Sequence, residues 1–154
     1  MKGESQQDPG PNGCGFVARK PGILIVDELA LNLTLLKFEL ESRGFVAWLA
    51  VDGDDAIDLY GKHRDEIDLV LLSVQMSGLD GPHTLEVLQR LNPHVVACFM
   101  SGNDDKYSQQ ELFARGVAFV FAKPISPAEI TNVLQNLESA SATGSSPSPI
   151  SQTN

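Results

Sequence analysis

The chain has 154 residues, of which 42% are hydrophobic and 20% charged. That is the size and make-up of one packed domain rather than of a disordered chain. No apolar run approaches the ~20 residues of a membrane helix, and residues 1–20 lack the apolar core of an export signal, so the expected compartment is the cytoplasm. The net charge of −9 is uneven. Lys2, Arg19 and Lys20 against Glu4 and Asp8 leave residues 1–20 at +1, and residues 139–154 carry no charge. Residues 21–138, with 8 basic and 18 acidic side chains, hold −10. An acidic core disfavours nucleic-acid binding, which needs a basic footprint; it suits protein partners or a cation. Cys14 and Cys98 lie far apart without metal-ligand spacing, and Cys98 sits in an apolar run as a small hydrophobe.

In chain order, residues 1–20 mix Gln, Asp, Pro and Gly without periodicity and read as a flexible head. Gly22 to Val26 is a β-branched run ending at Asp27, a first strand. Leu29, Leu33, Leu36 and Leu40 then recur at helical spacing up to Gly44. Leu29, Leu31, Leu33 and Leu35 also alternate as a strand would; length, the Glu39/Arg43 pair and the terminal Gly decide for a helix. Residues 45–51 form a second strand, and Asp52-Gly53 turns into a helix carrying Ala56, Ile57 and Tyr60. Residues 67–72 are nearly all apolar, as in a strand covered on both faces. Pro82 opens a third helix with Leu85, Leu88 and Leu91 on one side, ended by Asn92-Pro93.

Residues 95–100 are a fourth strand, and a fourth helix is expected from about Asp104 to Arg115. Residues 118–121 are a fifth strand. Ser126, Pro127 and Glu129 signal a capping box, with the helix ending near Leu137. Residues 139–154, rich in Ser, Thr and Pro, read as a disordered tail. The predicted layout is thus a head (1–20), a domain (21–138) and a tail (139–154), with no length left for an output domain.

Five β–α units imply a parallel sheet with helices on both faces. Ligands of such sheets sit at the carboxyl ends of the strands. There stand Asp27 and Glu28, then Ser73, then Ser101, then Lys123 with Pro124. Carboxylates suit a hard cation such as Mg²⁺; an ammonium and a hydroxyl suit an anionic oxygen.

These residues carry a family resemblance over 22–137. Ile-Val-Asp-Glu (25–28), Asn32 with Leu35 and Leu36, Ala-Val-Asp-Gly (50–53), Asp-Leu-Val-Leu-Leu (68–72) and Gln-Met-Ser-Gly-Leu-Asp-Gly (75–81) come first. Ser101, Gly116 and Lys123-Pro124 follow in order. Together they resemble the CheY-like receiver domain of two-component response regulators. The resemblance implies a flavodoxin-like three-layer α/β/α sandwich with strand order 2-1-3-4-5. It also implies phosphorelay signalling: a histidine kinase phosphorylates an aspartate at the end of the third strand. By that resemblance Mg²⁺ would be held by Asp27, Glu28 and the Gln75 carbonyl, and the phosphoryl group engaged by Ser101 and Lys123. Partners would meet the face of the fourth helix, fifth strand and fifth helix, and the Lys123–Pro124 bond would be cis.

The chain departs from that pattern at the acceptor, which is Ser73. A carboxylate is ionised at pH 7 and already nucleophilic; a serine hydroxyl needs a base. His63, His83 and His94 are not placed to serve, and Lys123 beside Asp27 and Glu28 should stay charged. Losing the carboxylate weakens any Mg²⁺ site, with a bare ion-paired cluster as the alternative. The switch aromatic expected three residues before Lys123 is replaced by Val120; Phe119 and Phe121 flank it on the other face, so either a Phe serves in a shifted register or there is no aromatic switch. Ser77 in place of Pro and Gly102 in place of Ala read as minor. The expectation is a stand-alone, non-enzymatic degenerate receiver acting as a protein–protein interaction module, with a histidine kinase or another signalling protein as partner and no nucleic acid or membrane. A receiver switched by serine phosphorylation at Ser73 or the tail is the alternative. A small serine hydrolase is remote, because neither Ser73 nor Ser101 lies in a Gly-x-Ser-x-Gly turn.

Overall fold

The structure, a computed structural model, describes residues 19–102 and 106–143, with side chains through residue 136. Most of the predicted head, the tail beyond 143, Cys14 and the expected helix start at Asp104 lie outside the described residues. Five parallel strands alternate with helices: β1 (Gly22–Val26), α1 (Ala30–Ser42), β2 (Val46–Ala50), α2 (Gly53–His63), β3 (Leu69–Ser73), α3 (Gly81–Leu91), β4 (Ala97–Ser101), α4 (Gln109–Phe113), β5 (Phe119–Ala122) and α5 (Pro127–Thr143). The sheet order is β2-β1-β3-β4-β5, the doubly wound order that the resemblance implied. β1 and β3 are buried at every position, which is why they carry unbroken apolar runs instead of alternation.

Two cores sit on the two faces of the sheet. Leu33 and Leu40 of α1 and Ile130, Val133 and Leu134 of α5 pack over Ile25, Leu71 and Phe121. On the other face Tyr60 of α2, Leu85 and Leu88 of α3 and Leu112 of α4 pack over Leu24, Val70 and Phe99. Cys98 is fully buried in the first of these cores, where burial pushes its thiol up to about 12. At the edge strand β2, the Trp48 ring stacks on His63 at 4.1 Å and 22°. Its buried Nε1 has no hydrogen-bond partner among the described residues.

Helix ends follow from local chemistry. α1 stops at Gly44, whose φ of 96° only glycine adopts without strain; the Phe45 N–H then returns to the Leu40 carbonyl. In α1 the ion pair joins Lys37 and Glu41, two residues earlier than the expected Glu39/Arg43. Asp52 caps α2 through the Asp55 N–H at 2.8 Å. α4 is much shorter than expected, because Ser108 and Glu111 form a capping box that fixes its start at Gln109. At α5, Ser126 Oγ accepts from the Ala128 N–H at 3.2 Å, one position earlier than the expected box. α5 runs on to Thr143, because residues 137–143 contain no Gly or Pro to stop it.

Candidate functional site

Asp27 follows β1 and stays in register with the sheet, its N–H bonded to the Ala50 carbonyl at 3.1 Å. Its side chain is buried and needs partners. Oδ1 accepts from the Leu29 N–H at 3.0 Å and Oδ2 from Asn32 Nδ2 at 3.3 Å. Lys123 Nζ stands 3.4 Å from Oδ2. Lys123 reaches there from the turn after β5, where its N–H bonds the Ser101 carbonyl at 2.9 Å and the Lys123–Pro124 bond is cis.

Ser73 is the last residue of β3 rather than the first beyond it, and is 1% exposed. Lys123 Nζ donates to Ser73 Oγ at 2.8 Å. One ammonium therefore joins the carboxylate after β1 to the hydroxyl ending β3. Behind Ser73 the chain passes close to α3: a Cβ on Gly81 would lie 2.4 Å from the Ser73 carbonyl oxygen. Glycine at 81 thus lets the start of α3 press against the end of β3.

Glu28 takes another direction. Its Oε2 accepts from the Ser77 N–H at 2.6 Å; the Ser77 hydroxyl first, then that backbone bond, and Lys123 least, hold its carboxyl below the usual range. Ser77, read as a minor departure in the sequence, is therefore not minor. A proline there has no N–H to offer, and the serine supplies the donor that captures Glu28. Gln75 lies exposed in the same β3–α3 loop. Among the described residues no three His, Cys, Asp or Glu side chains gather as a metal-binding group.

Ser101 ends β4, half-buried, with its hydroxyl 3.3 Å from the Gly102 carbonyl to which it donates. Val120 is buried against the α2–α3–α4 face and pairs with Phe99. Phe119 and Phe121 lie on the other face, edge to face at 4.8 Å. The register of β5 is thus unshifted, and no aromatic ring occupies the Val120 position.

A second polar cluster was not foreseen. Asp80 caps α3 through the His83 N–H at 3.0 Å, contacts His83 Nδ1 at 2.6 Å, and accepts from the Tyr107 hydroxyl at 2.8 Å. Burial pushes its carboxyl up, but these donors outweigh burial and hold it below the usual range. Burial and Asp80 together push the Tyr107 phenol up, which keeps it a donor. The sequence signal available was Asp80 three residues before His83 at a helix start; Tyr107, 27 residues on, had none.

Two openings flank the site. A groove of about 670 Å³ runs between α1 and the turn into α5, walled by Leu35, Leu36, Met100 and Ile125, with Asp27 and Lys123 also lining it. A smaller one of about 250 Å³ lies beside Gln75, Met76, Asp80 and Tyr107. Among the described residues no helix is long and apolar enough to cross a membrane.

Residues 23–135 match the response regulator receiver domain family. The transcriptional regulatory protein ZraR of Salmonella typhimurium is 30% identical over 128 residues, 82% of this chain and 28% of its own. The sensor kinase CckA of Brucella abortus is 26% identical over 115 residues, 75% of this chain and 12% of its own. A response regulator receiver domain protein from Clostridium thermocellum superposes with a TM-score of 0.74 at 20% identity, covering 80% of this chain and 98% of that one. CheY in the CheX–CheY–BeF₃–Mg²⁺ complex of Borrelia burgdorferi is a comparable fold match, with a TM-score of 0.72 at 22% identity over 82% and 96%. This chain spans 28% of ZraR and 12% of CckA, so it corresponds to one part of those proteins.

Proposed function

Because the chain belongs to the response regulator receiver family of two-component signalling, we propose that it is a receiver which does not carry phosphate in the usual way and acts as a protein–protein interaction module. One observation carries this reading: Lys123 Nζ, 2.8 Å from Ser73 Oγ and 3.4 Å from Asp27 Oδ2, joins both into a cluster that is neutral by itself. The buried carboxylate has its countercharge, and no carboxylate nucleophile stands at the end of β3. A serine hydroxyl needs a base; an ammonium balanced by Asp27 has no lone pair to accept its proton.

Family members bind Mg²⁺ at the phosphorylation site, and the residues present do not fit that role. Asp27 is taken by Lys123 and Asn32, Glu28 by the Ser77 N–H, and Ser73, at the acceptor position, offers only a neutral hydroxyl that already accepts from Lys123. A hard divalent cation needs several free oxygen donors, most of them anionic. The switch position adds to the argument, since Val120 has no ring to move. Phosphorylation of Ser73 by a serine kinase is disfavoured by its burial, and a serine hydrolase by the lack of a base. The partner in this reading is another signalling protein, a kinase among the candidates, and the family's face of α4, β5 and α5 is where it would dock.

Intact mass after incubation with a small phosphodonor and Mg²⁺ tests the proposal. The native chain should gain no phosphoryl adduct. Ser73→Asp should gain one, and Ser73→Asp with Ser77→Pro should gain more, because Glu28 is then released toward the cation. An acid-labile adduct on the native chain would overturn the reading.

A further inference from the structure

The larger groove beside Lys123 has the dimensions of a ligand site. One wall belongs to α1, through Asn32, Leu35, Leu36 and Glu39. Their spacing of i, i+3, i+4 and i+7 puts them on one strip of the helix, turned from Leu33 and Leu40, which are buried in the core. The facing wall is the turn into α5, with Pro124, Ile125 and Pro127, and buried Met100 of β4 lines the groove from the sheet. A volume of about 670 Å³ falls within the roughly 300–1,000 Å³ of small-molecule sites, and a mainly apolar lining with a few polar groups is their usual make-up.

The polar groups decide which ligand fits. Asn32 donates to Asp27, and Lys123 stands 3.4 Å from the same carboxylate, so the charges cancel at that end. Glu39 comes seven residues later on α1, about 10 Å along the axis at 1.5 Å per residue. It is exposed, and among the described residues its carboxylate makes no ion pair or hydrogen bond. Two carboxylates against one ammonium leave the groove at −1, inside a stretch, residues 21–138, that holds −10. Such a field gathers cations and repels anions. The proline wall agrees. Pro124 and Pro127 have no N–H, whereas concave anion sites are built from backbone N–H groups.

We propose that this groove binds a small organic cation, a primary ammonium on an unbranched apolar body about 10 Å long. The ammonium sits on Glu39, and the body lies against Leu36, Met100 and Ile125. No step involves Ser73 or the face of α4, β5 and α5, so the site stands or falls apart from the function proposed above.

Amide chemical shifts of the full chain, titrated with octylammonium, octanol and octanoate below their micellar concentrations, test it. Octylammonium should give saturable shifts confined to residues 32–39, 100–102 and 123–127. Octanol should bind about threefold more weakly, the scale of one exposed ion pair, and octanoate more weakly still. High salt should narrow the gap between octylammonium and octanol. Glu39→Gln, at an exposed position, should bring octylammonium down to the affinity of octanol and leave octanol itself unchanged. Octanoate binding as tightly as octylammonium overturns the proposal, as do shifts that fail to saturate or that fall elsewhere. A preference for the ammonium that survives Glu39→Gln overturns it equally, by placing the cation on another group.

Discussion

Asp27 and Asp80 are both buried carboxylates near the carboxyl end of the sheet, yet Asp27 is balanced by an ammonium and Asp80 by a histidine and a phenol. Around Asp27 the partners come from the loop after β1, from α1 and from the turn after β5. That cluster ties three separated parts of the sheet edge together by charge. Around Asp80 the partners come from its own helix start and from Tyr107 just before α4. That cluster pins one loop to another by hydrogen bonds. The first kind of link is costly to break, because removing one charge leaves the other buried and unpaired. The second loses one hydrogen bond at a time.

The widest separation between the two should appear in Lys123→Met, expected to cost about 2–3 kcal/mol in urea denaturation. This is less than for a fully buried pair, because the Lys123 side chain is 29% exposed. Asp80→Ala should cost about 2 kcal/mol near neutrality, through loss of the α3 cap and of the Tyr107 acceptor. Its dependence on pH is distinctive. A carboxyl held low by folding contributes stability that is fully present above its unfolded value of about 4 and lost as pH falls through its folded value. The gap between Asp80→Ala and the native chain should therefore close in acid, and a constant gap down to pH 2 would refute the hydrogen-bond account. Tyr107→Phe should cost only about 1 kcal/mol while speeding amide exchange in residues 106–108. If instead it matches Lys123→Met, the contrast between the two aspartates is wrong.

Much of this architecture was legible before any coordinates. The fold followed from five apolar runs alternating with helical periods, a pattern strong enough that local errors did not disturb it. The strand-end residues were legible for the same reason, since β–α alternation dictates where Asp27, Ser73, Ser101 and Lys123 must meet. Boundaries were harder. Ser-Gln-Gln-Glu at 108–111 is a capping box that sets the start of α4 at Gln109, later than the helix expected from about Asp104. α5 runs past the expected end near Leu137, because the Ser- and Ala-rich stretch up to Thr143 holds no helix breaker.

What a single residue does with its side chain was least legible. Glu28 stood next to Asp27 in sequence, yet it turns to Ser77, whose hydroxyl and backbone N–H both favour its carboxylate. The Asp80–Tyr107 bond joins residues from different β–α units, and no local periodicity encodes such a contact. The α1 leucines satisfied both a period of two and a period near four, because the helix is apolar inside and out.

The Trp48–His63 stack gives the molecule an optical handle. The chain has one tryptophan, so all indole emission comes from β2, at the opposite edge of the sheet from β5 and Lys123. A stacked imidazole damps that emission, and separation of the rings on unfolding restores it. Intensity therefore reports global unfolding through a chromophore that substitutions at Ser73, Ser77 or Lys123 leave untouched, and every variant above can be read on the same scale without a label.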